Sequence, residues 1–280
     1  MDDLQIFKLG TIMDNVSKKF KHNYKALMLD VDGTLVSNDY GGKISKKVKK
    51  SLLLSSKKIT VGIASGRPLD RVTFIFNELG IKKPCVVGGG TQIVDPITRK
   101  ILWEKPILPK DMRIITNALA SLNAKVWVVD NTKELLFTKK MALQKPMNFF
   151  IPKIKERKAN ALIKAFSHIP TLALTKVVAY HHGYVALHIT HFKATKEHAT
   201  RKVAQLLNVK TKDIIGVGDG YNDFSLFKAC GLKIAVGNAV KDLKKRADYI
   251  APSVNEDGVA HIVEKFILRS NTPKNQVKIL

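Results

Sequence analysis

KALMLDVDGT, residues 25–34, decides how the chain is read. The apolar run from Ala26 to Leu29 has no polar residue on alternate positions. Such a run predicts a strand buried on both faces, as in a parallel sheet. It ends in Asp30-Val31-Asp32-Gly33-Thr34, where Gly33 permits a sharp turn. Two carboxylates two residues apart at a strand end can share a metal ion, one through its side chain and one through its backbone carbonyl. Asp-Gly is equally at home in an ordinary turn, so by itself this segment leaves both readings open.

Similar strands lie on either side. ITVGIASG (59–66), PCVVGGG (84–90), IIGVGDG (214–220), LKIAVG (232–237) and ADYIAP (247–252) are further strands. Helical patterns separate them, one capped by Ser45 and one opened by Pro68 and stopped at Gly80. Strands alternating with helices predict an α/β, Rossmann-like parallel-sheet core. The middle reads differently. RKILWEK (99–105), AKVWVVDN (124–131) and ELLFTKK (134–140) alternate apolar and polar residues, and 172–190 reads as a hairpin. Helices are expected at about 109–122 and 153–167. The expected organisation is a helical extension over 1–23, a discontinuous core over 24–86 and 190–270, an inserted α+β cap domain over 87–189, and a tail over 271–280.

Three more segments place reactive groups where core strands end or helices begin, the usual position of sites in open parallel sheets. Ser65 and Gly66 follow one strand and can offer a hydroxyl and amides to an oxyanion, or Ser65 can simply cap a helix. Lys196 lies near a helix start, where it can neutralise a phosphate or remain a solvated side chain. Asp219, Asn222 and Asp223 sit in GDGYND (218–223), a loop of hard oxygen donors suited to Mg²⁺, or again a helix cap. His181, His182, His188 and His191 cluster in sequence without zinc-site spacing. Trp103, Trp127 and Cys230 read as packing residues.

Composition narrows the classes. Of 280 residues, 45% are apolar and 25% charged, the profile of a globular protein, and no apolar run has the length of a membrane helix. The N-terminus lacks secretory-signal features, and two cysteines, Cys85 and Cys230, make no disulfide framework, so a cytoplasmic protein is expected. The 48 basic residues exceed the 23 acidic ones by 25. Most are lysines dispersed along the whole chain, with no nucleic-acid module, so a solvated surface is expected rather than a nucleic-acid or membrane partner.

Taken together, the four segments resemble the haloacid dehalogenase superfamily. Asp30–Thr34 fits its DxDGT motif, Gly218-Asp219 with Asn222-Asp223 fits GDxxND, and Ser65 and Lys196 fall at its second and third motifs. The large insert between those two motifs, AVGNA (235–239) and NEDGVA (255–260) are similar to the Cof-like branch, which includes sugar-phosphate phosphatases. The resemblance implies a Mg²⁺-dependent phosphomonoester hydrolase acting on a small phosphate ester. Asp30 would be the nucleophile and Asp32 the general acid–base. Ser65, Gly66, Lys196 and Asn222 would hold the phosphate. Asp30, Asp32 and Asp219 would hold the metal, with Asn222 and Asp223 orienting its ligands. A phosphomutase with the same motifs, or a noncatalytic nucleic-acid-binding protein, are the alternatives. Two positions depart from the branch: Glu197 follows Lys196 in place of Gly, and Gly88-Gly89-Gly90 replaces Asn-Gly-Ala.

Overall fold

The computed structural model describes residues 22–37, 42–178 and 182–268. The expected N-terminal helix and the tail fall outside these, except for His22 and Asn23, which are irregular. In chain order the elements are β1 (Ala26–Leu29), α1 (Lys46–Ser55), β2 (Thr60–Ile63), α2 (Leu69–Leu79), β3 (Cys85–Val87), β4 (Gln92–Val94) and β5 (Ile101–Glu104). Then come α3 (Pro109–Ala120), β6 (Trp127–Asp130), β7 (Lys133–Leu136), β8 (Pro146–Lys155), α4 (Glu156–Phe166), β9 (Leu172–Val178) and β10 (Tyr184–His191). α5 (Lys196–Leu206), β11 (Ile214–Gly218), α6 (Asp223–Lys228), β12 (Leu232–Ala235), α7 (Lys241–Lys244), β13 (Tyr249–Ile250) and α8 (Gly258–Val263) follow.

The core is the expected parallel sheet, in the order β13-β12-β11-β1-β2. β1 lies between β2 and β11, and Ala26 to Leu29 are all fully buried, which is why its sequence shows no alternation. Ser45 caps α1 by accepting a hydrogen bond from the Val48 amide at 3.1 Å. α2 ends at Gly80, whose φ of 61° is left-handed.

A second sheet, order β7-β6-β8-β10-β9, is antiparallel. α3 and α4 cover one of its faces, where Ile115, Leu119, Leu162 and Phe166 pack on Val128, Phe149, Ile151, Leu187 and Ile189. The other face carries Trp127, Phe150, His188 and Thr175 in one cross-strand row. Its central strand, β8, was not expected, and the helix expected from 153 begins at Glu156. Pro146 and Pro152 disguise β8, since proline argues against a central strand. Pro152 is tolerated because the β8–β10 register shifts there, between Val185 and Leu187.

A third sheet, β3-β4-β5, contains the unanticipated strand β4. β4 and β5 fall inside the range expected for the insert. Yet Val94 joins the core cluster of the parallel sheet, and Ile93, with Trp103 against it, joins the cluster beneath α5. Among the described residues, no helix is long and apolar enough to cross a membrane.

Candidate active site

The register of the parallel sheet assembles the site. Leu29 is aligned with Ile63 on β2 and with Val217 on β11. The residues just beyond these strands, Asp30, Ser65 and Asp219, therefore meet at one end of the sheet. The Asp30 amide donates to the Val217 carbonyl at 3.0 Å, and the Ser65 amide donates to Val86 at 3.0 Å.

Lys196, the first residue of α5, enters this cluster and is 1% exposed. Its Nζ donates to Asp30 Oδ1 at 2.6 Å and to Asp223 Oδ1 at 2.7 Å. Asp223 Oδ2 accepts from the Asp219 and Gly220 amides at 3.0 and 2.9 Å, which fixes the loop. Thr34 Oγ1 reaches Asp219 Oδ1 at 3.4 Å. Carboxylate oxygens of Asp30, Asp219 and Asp223 lie within 4.8 Å of one another, all buried.

Three carboxylates against one ammonium leave an excess of buried negative charge. Burial, then the Asp223 charge, pushes the Asp30 carboxyl up to about 7 against the pull of Lys196. Burial and the charges of Asp30 and Asp223 push Asp219 up to about 9. Burial opposes the charged form of Lys196, yet the two aspartates hold its pKa above the ordinary lysine value. A hard divalent cation fits this donor set, because all the donors are oxygens and the charge imbalance is one that a cation would offset.

Asp32 faces elsewhere. Arg67 grips its carboxylate, with Nε at 3.0 Å from Oδ2 and Nη2 at 2.6 Å from Oδ1. Ser65 is fully buried, and its Oγ accepts from the Arg67 amide at 3.0 Å. A Cβ placed on Gly66 would meet His188 Cε1 at 3.7 Å and Asn222 Nδ2 at 3.9 Å, so these two side chains converge over the loop.

The departures have local explanations. Gly90 has φ of +108°, and a Cβ there would lie 2.2 Å from the Thr195 carbonyl carbon and 2.5 Å from the Lys196 amide nitrogen. Only glycine lets this loop approach the start of α5 so closely. The Glu197 carboxylate pairs with Arg201 at 3.1 Å on the outside of α5.

Sequence reasoning missed His188 and Arg67 as parts of the site. His188 lies on β10 and is 8% exposed, edge-to-face with Phe150 at 4.6 Å. With Thr175, Thr190, Gly89, Asn222 and Ser225 it lines the cleft between the antiparallel sheet and the core. Burial, reinforced by the Lys196 charge, lowers its pKa to about 4, so the imidazole is neutral. The alternation of Val185, Leu187 and Ile189 with Ala186, His188 and Thr190 puts His188 on one face of β10, but does not say that this face meets the core. Among the described residues, His182, His188 and His191 do not converge on a metal site. His191 Nδ1 accepts from the Lys193 amide, His182 is exposed, and His181 is outside the described residues. Among the described residues, the aspartate trio is the one metal-competent cluster. Cys85 and Cys230 are buried free thiols whose pKa values burial raises.

A parallel sheet that gathers an acidic cluster and a buried lysine at the carboxyl ends of its strands, beneath a second sheet, defines a class of hydrolase. The family profile described as haloacid dehalogenase-like hydrolase matches residues 27–182 and 134–263. The chain belongs to that family. It is 26% identical over 293 residues to phosphatase YwpJ of Bacillus subtilis, covering 87% of this chain and all of the relative. It is 27% identical over 252 residues to 5-amino-6-(5-phospho-D-ribitylamino)uracil phosphatase YcsE of the same organism, covering 87% and 96%. A haloacid dehalogenase-like hydrolase from B. subtilis shares the fold with a TM-score of 0.76 at 23% identity, over 86% of this chain and 99% of that one.

Proposed function

We propose that this protein is a phosphatase that hydrolyses a small phosphate monoester, a sugar or polyol phosphate, through an aspartyl-phosphate on Asp30. The observation that carries this reading is the buried Asp30 carboxylate, held 2.6 Å from the Lys196 ammonium beside Asp219 and Asp223. Relatives spanning nearly the whole chain are phosphatases, and one acts on a phosphorylated ribityl compound.

An Asp30 oxygen would attack phosphorus as the ester oxygen leaves. Asp32 would give that oxygen a proton, releasing an alcohol, and would then take a proton from the water that cleaves the aspartyl-phosphate. Inorganic phosphate leaves and Asp30 is regenerated. To carry a proton, Asp32 must part from Arg67, so the bidentate contact is one that breaks during turnover. Ser65, the Gly66 amide, Lys196 and Asn222 would hold the phosphate oxygens. Asp30 and Asp219, with the Asp32 carbonyl, would hold Mg²⁺, which when bound supplies neutralisation of the phosphoryl charge. Asn222 and Asp223 would orient this set.

The packing of β4 and β5 against the core supports a cap that begins later than residue 87 and runs from Lys105 to His191. The cleft under this cap is lined by hydroxyls, an amide and a neutral imidazole, which suit a leaving group rich in hydroxyls. The test is phosphate release from a panel of esters, with Mg²⁺ and with a chelator. Release that needs the metal is expected. Absence of release from every ester would defeat the proposal, and an isomerised phosphate ester as product would indicate a mutase.

A further inference from the structure

The lysines are dispersed along the chain, but the fold gathers a group of them at one end of the core. In a parallel sheet, residues just before each strand share the amino end, opposite the site. Lys25 precedes β1, Lys57 and Lys58 precede β2, Lys82 and Lys83 precede β3, and Lys210 and Lys212 precede β11; all seven are exposed. They are neighbours through the backbone. The Lys25 amide donates to the Asp213 carbonyl at 2.8 Å, and the Lys25 carbonyl accepts from the Thr60 amide at 2.9 Å. β3 joins the edge of the sheet through the Ala64–Val86 bridge.

Acids at this end offset the charge only in part, since Glu78, Asp95, Asp213 and Asp248 stand against the seven lysines and Glu78 is itself paired with Lys49. No acidic residue occurs between Lys43 and Leu69. Asp213 is engaged by His22 at 2.7 Å, and Asp248 accepts from the Lys233 amide at 3.0 Å. The same end exposes large apolar side chains. Leu53 (57%) and Leu54 (40%) lie in the last turn of α1, just before Lys57, and Leu206 (46%) ends α5, just before Lys210.

We propose that this amino end of the sheet docks on the surface of an anionic lipid bilayer. Lysine ammonium groups are attracted to anionic headgroups as point charges, and leucines among them can enter the interface between headgroups and chains. A nucleic-acid surface would favour arginine forks and aromatic stacking platforms. Among the described residues, the exposed large apolar side chains at this end are Leu53, Leu54, Leu206 and Ile97 (64%) in the β4–β5 turn, all of them aliphatic. The chain also enters here, at His22. Residues 1–21 carry Lys8, Lys18, Lys19 and Lys21 against Asp2, Asp3 and Asp14, so they lack the negative charge to cover the patch. In this orientation the site, at the opposite end of the sheet, faces water and the cap is free to open.

The test is sedimentation of the full chain with phosphatidylcholine vesicles, with and without phosphatidylglycerol. Binding is expected only to the anionic vesicles and should weaken with salt. Changing Lys57, Lys58, Lys82 and Lys83 together to Glu should lower the partition more than tenfold, since each lysine at such a surface is worth about fivefold. The matched control changes Lys153, Lys155, Lys158 and Lys164 on the cap, all exposed, to Glu and should keep most of the binding. Leu53→Ser with Leu54→Ser should lower the binding that remains at high salt several-fold. Phosphate release should be unchanged in each variant, which checks the fold. Equal loss in the cap control, binding that survives the four substitutions, or binding to RNA but not to vesicles would each overturn the proposal.

Discussion

The two surfaces that face each other across the cleft differ in kind. The core side holds three buried carboxylates and one buried ammonium within a few ångströms. The cap side presents Thr175, His188 and Thr190, and among the described residues no ionised side chain of the cap lines the cleft. Charge is needed where the group transferred is the same anion in every substrate. Neutral polar groups are suited to discriminating what that anion is attached to, because a missing hydroxyl leaves a buried partner unsatisfied. The core should therefore govern rate for all esters, and the cap should govern choice among them.

The largest effect is expected from Asp30→Asn. It should lower turnover by about three orders of magnitude or more, because the nucleophile acts together with its partners as a unit. Steady-state rates and a thermal melt on the same preparation would check this. A folded variant with near wild-type turnover would remove the core side of the comparison. Next, Lys196→Ala should depress all esters alike and leave their ranking unchanged. It also strands Asp30 and Asp223, and breaking a buried pair costs about 3–5 kcal/mol, which a urea titration would read. A reordered ester ranking would contradict the division.

His188→Gln should do the opposite, changing kcat/KM by about tenfold for some esters and little for others, as one buried hydrogen bond would. It also carries a pH signature. The folded pKa of about 4 lies below the value of about 6.5 expected when unfolded, so the unfolded chain binds the proton more readily. Stability from this group is complete above about pH 6.5 and is lost as pH falls towards 4, by at most about 3 kcal/mol. Urea midpoints at neutral and acid pH should fall less in the variant than in the parent.

The smallest effect concerns how the two sides are held together. Arg71 on α2 pairs with Glu134 on β7, and its guanidinium lies 5.7 Å over the Trp127 ring. Arg71 is half-exposed, so the contact is worth about 1 kcal/mol at most. Arg71→Ala should raise KM about two- to threefold for every ester with little change in melting temperature. A change in ester ranking would mean that Arg71 touches substrate.

The particular residues show how far the sequence could be read. Asp30, Ser65, Lys196 and Asp219 were legible because each sits where a strand ends or a helix begins, and those places carry their own local signals. His188 was not, because its role depends on which face of β10 meets the core. Arg67 was not, because its partner Asp32 lies 35 residues away in the chain. β8 was hidden by its two prolines, which local rules count against a central strand.

By itself, the sequence determined the parallel core, the order of its strands along the chain and the identity of the groups at their ends. Buried runs, caps and turn glycines are short-range features that depend on near neighbours. Only the tertiary structure decided what lies against what. It set Lys196 between Asp30 and Asp223, turned Asp32 towards Arg67, brought Thr175, His188 and Thr190 over the cluster, and collected dispersed lysines at the far end of the sheet. Strand register and the crossovers of a parallel sheet are long-range constraints, and no local pattern of residues encodes them.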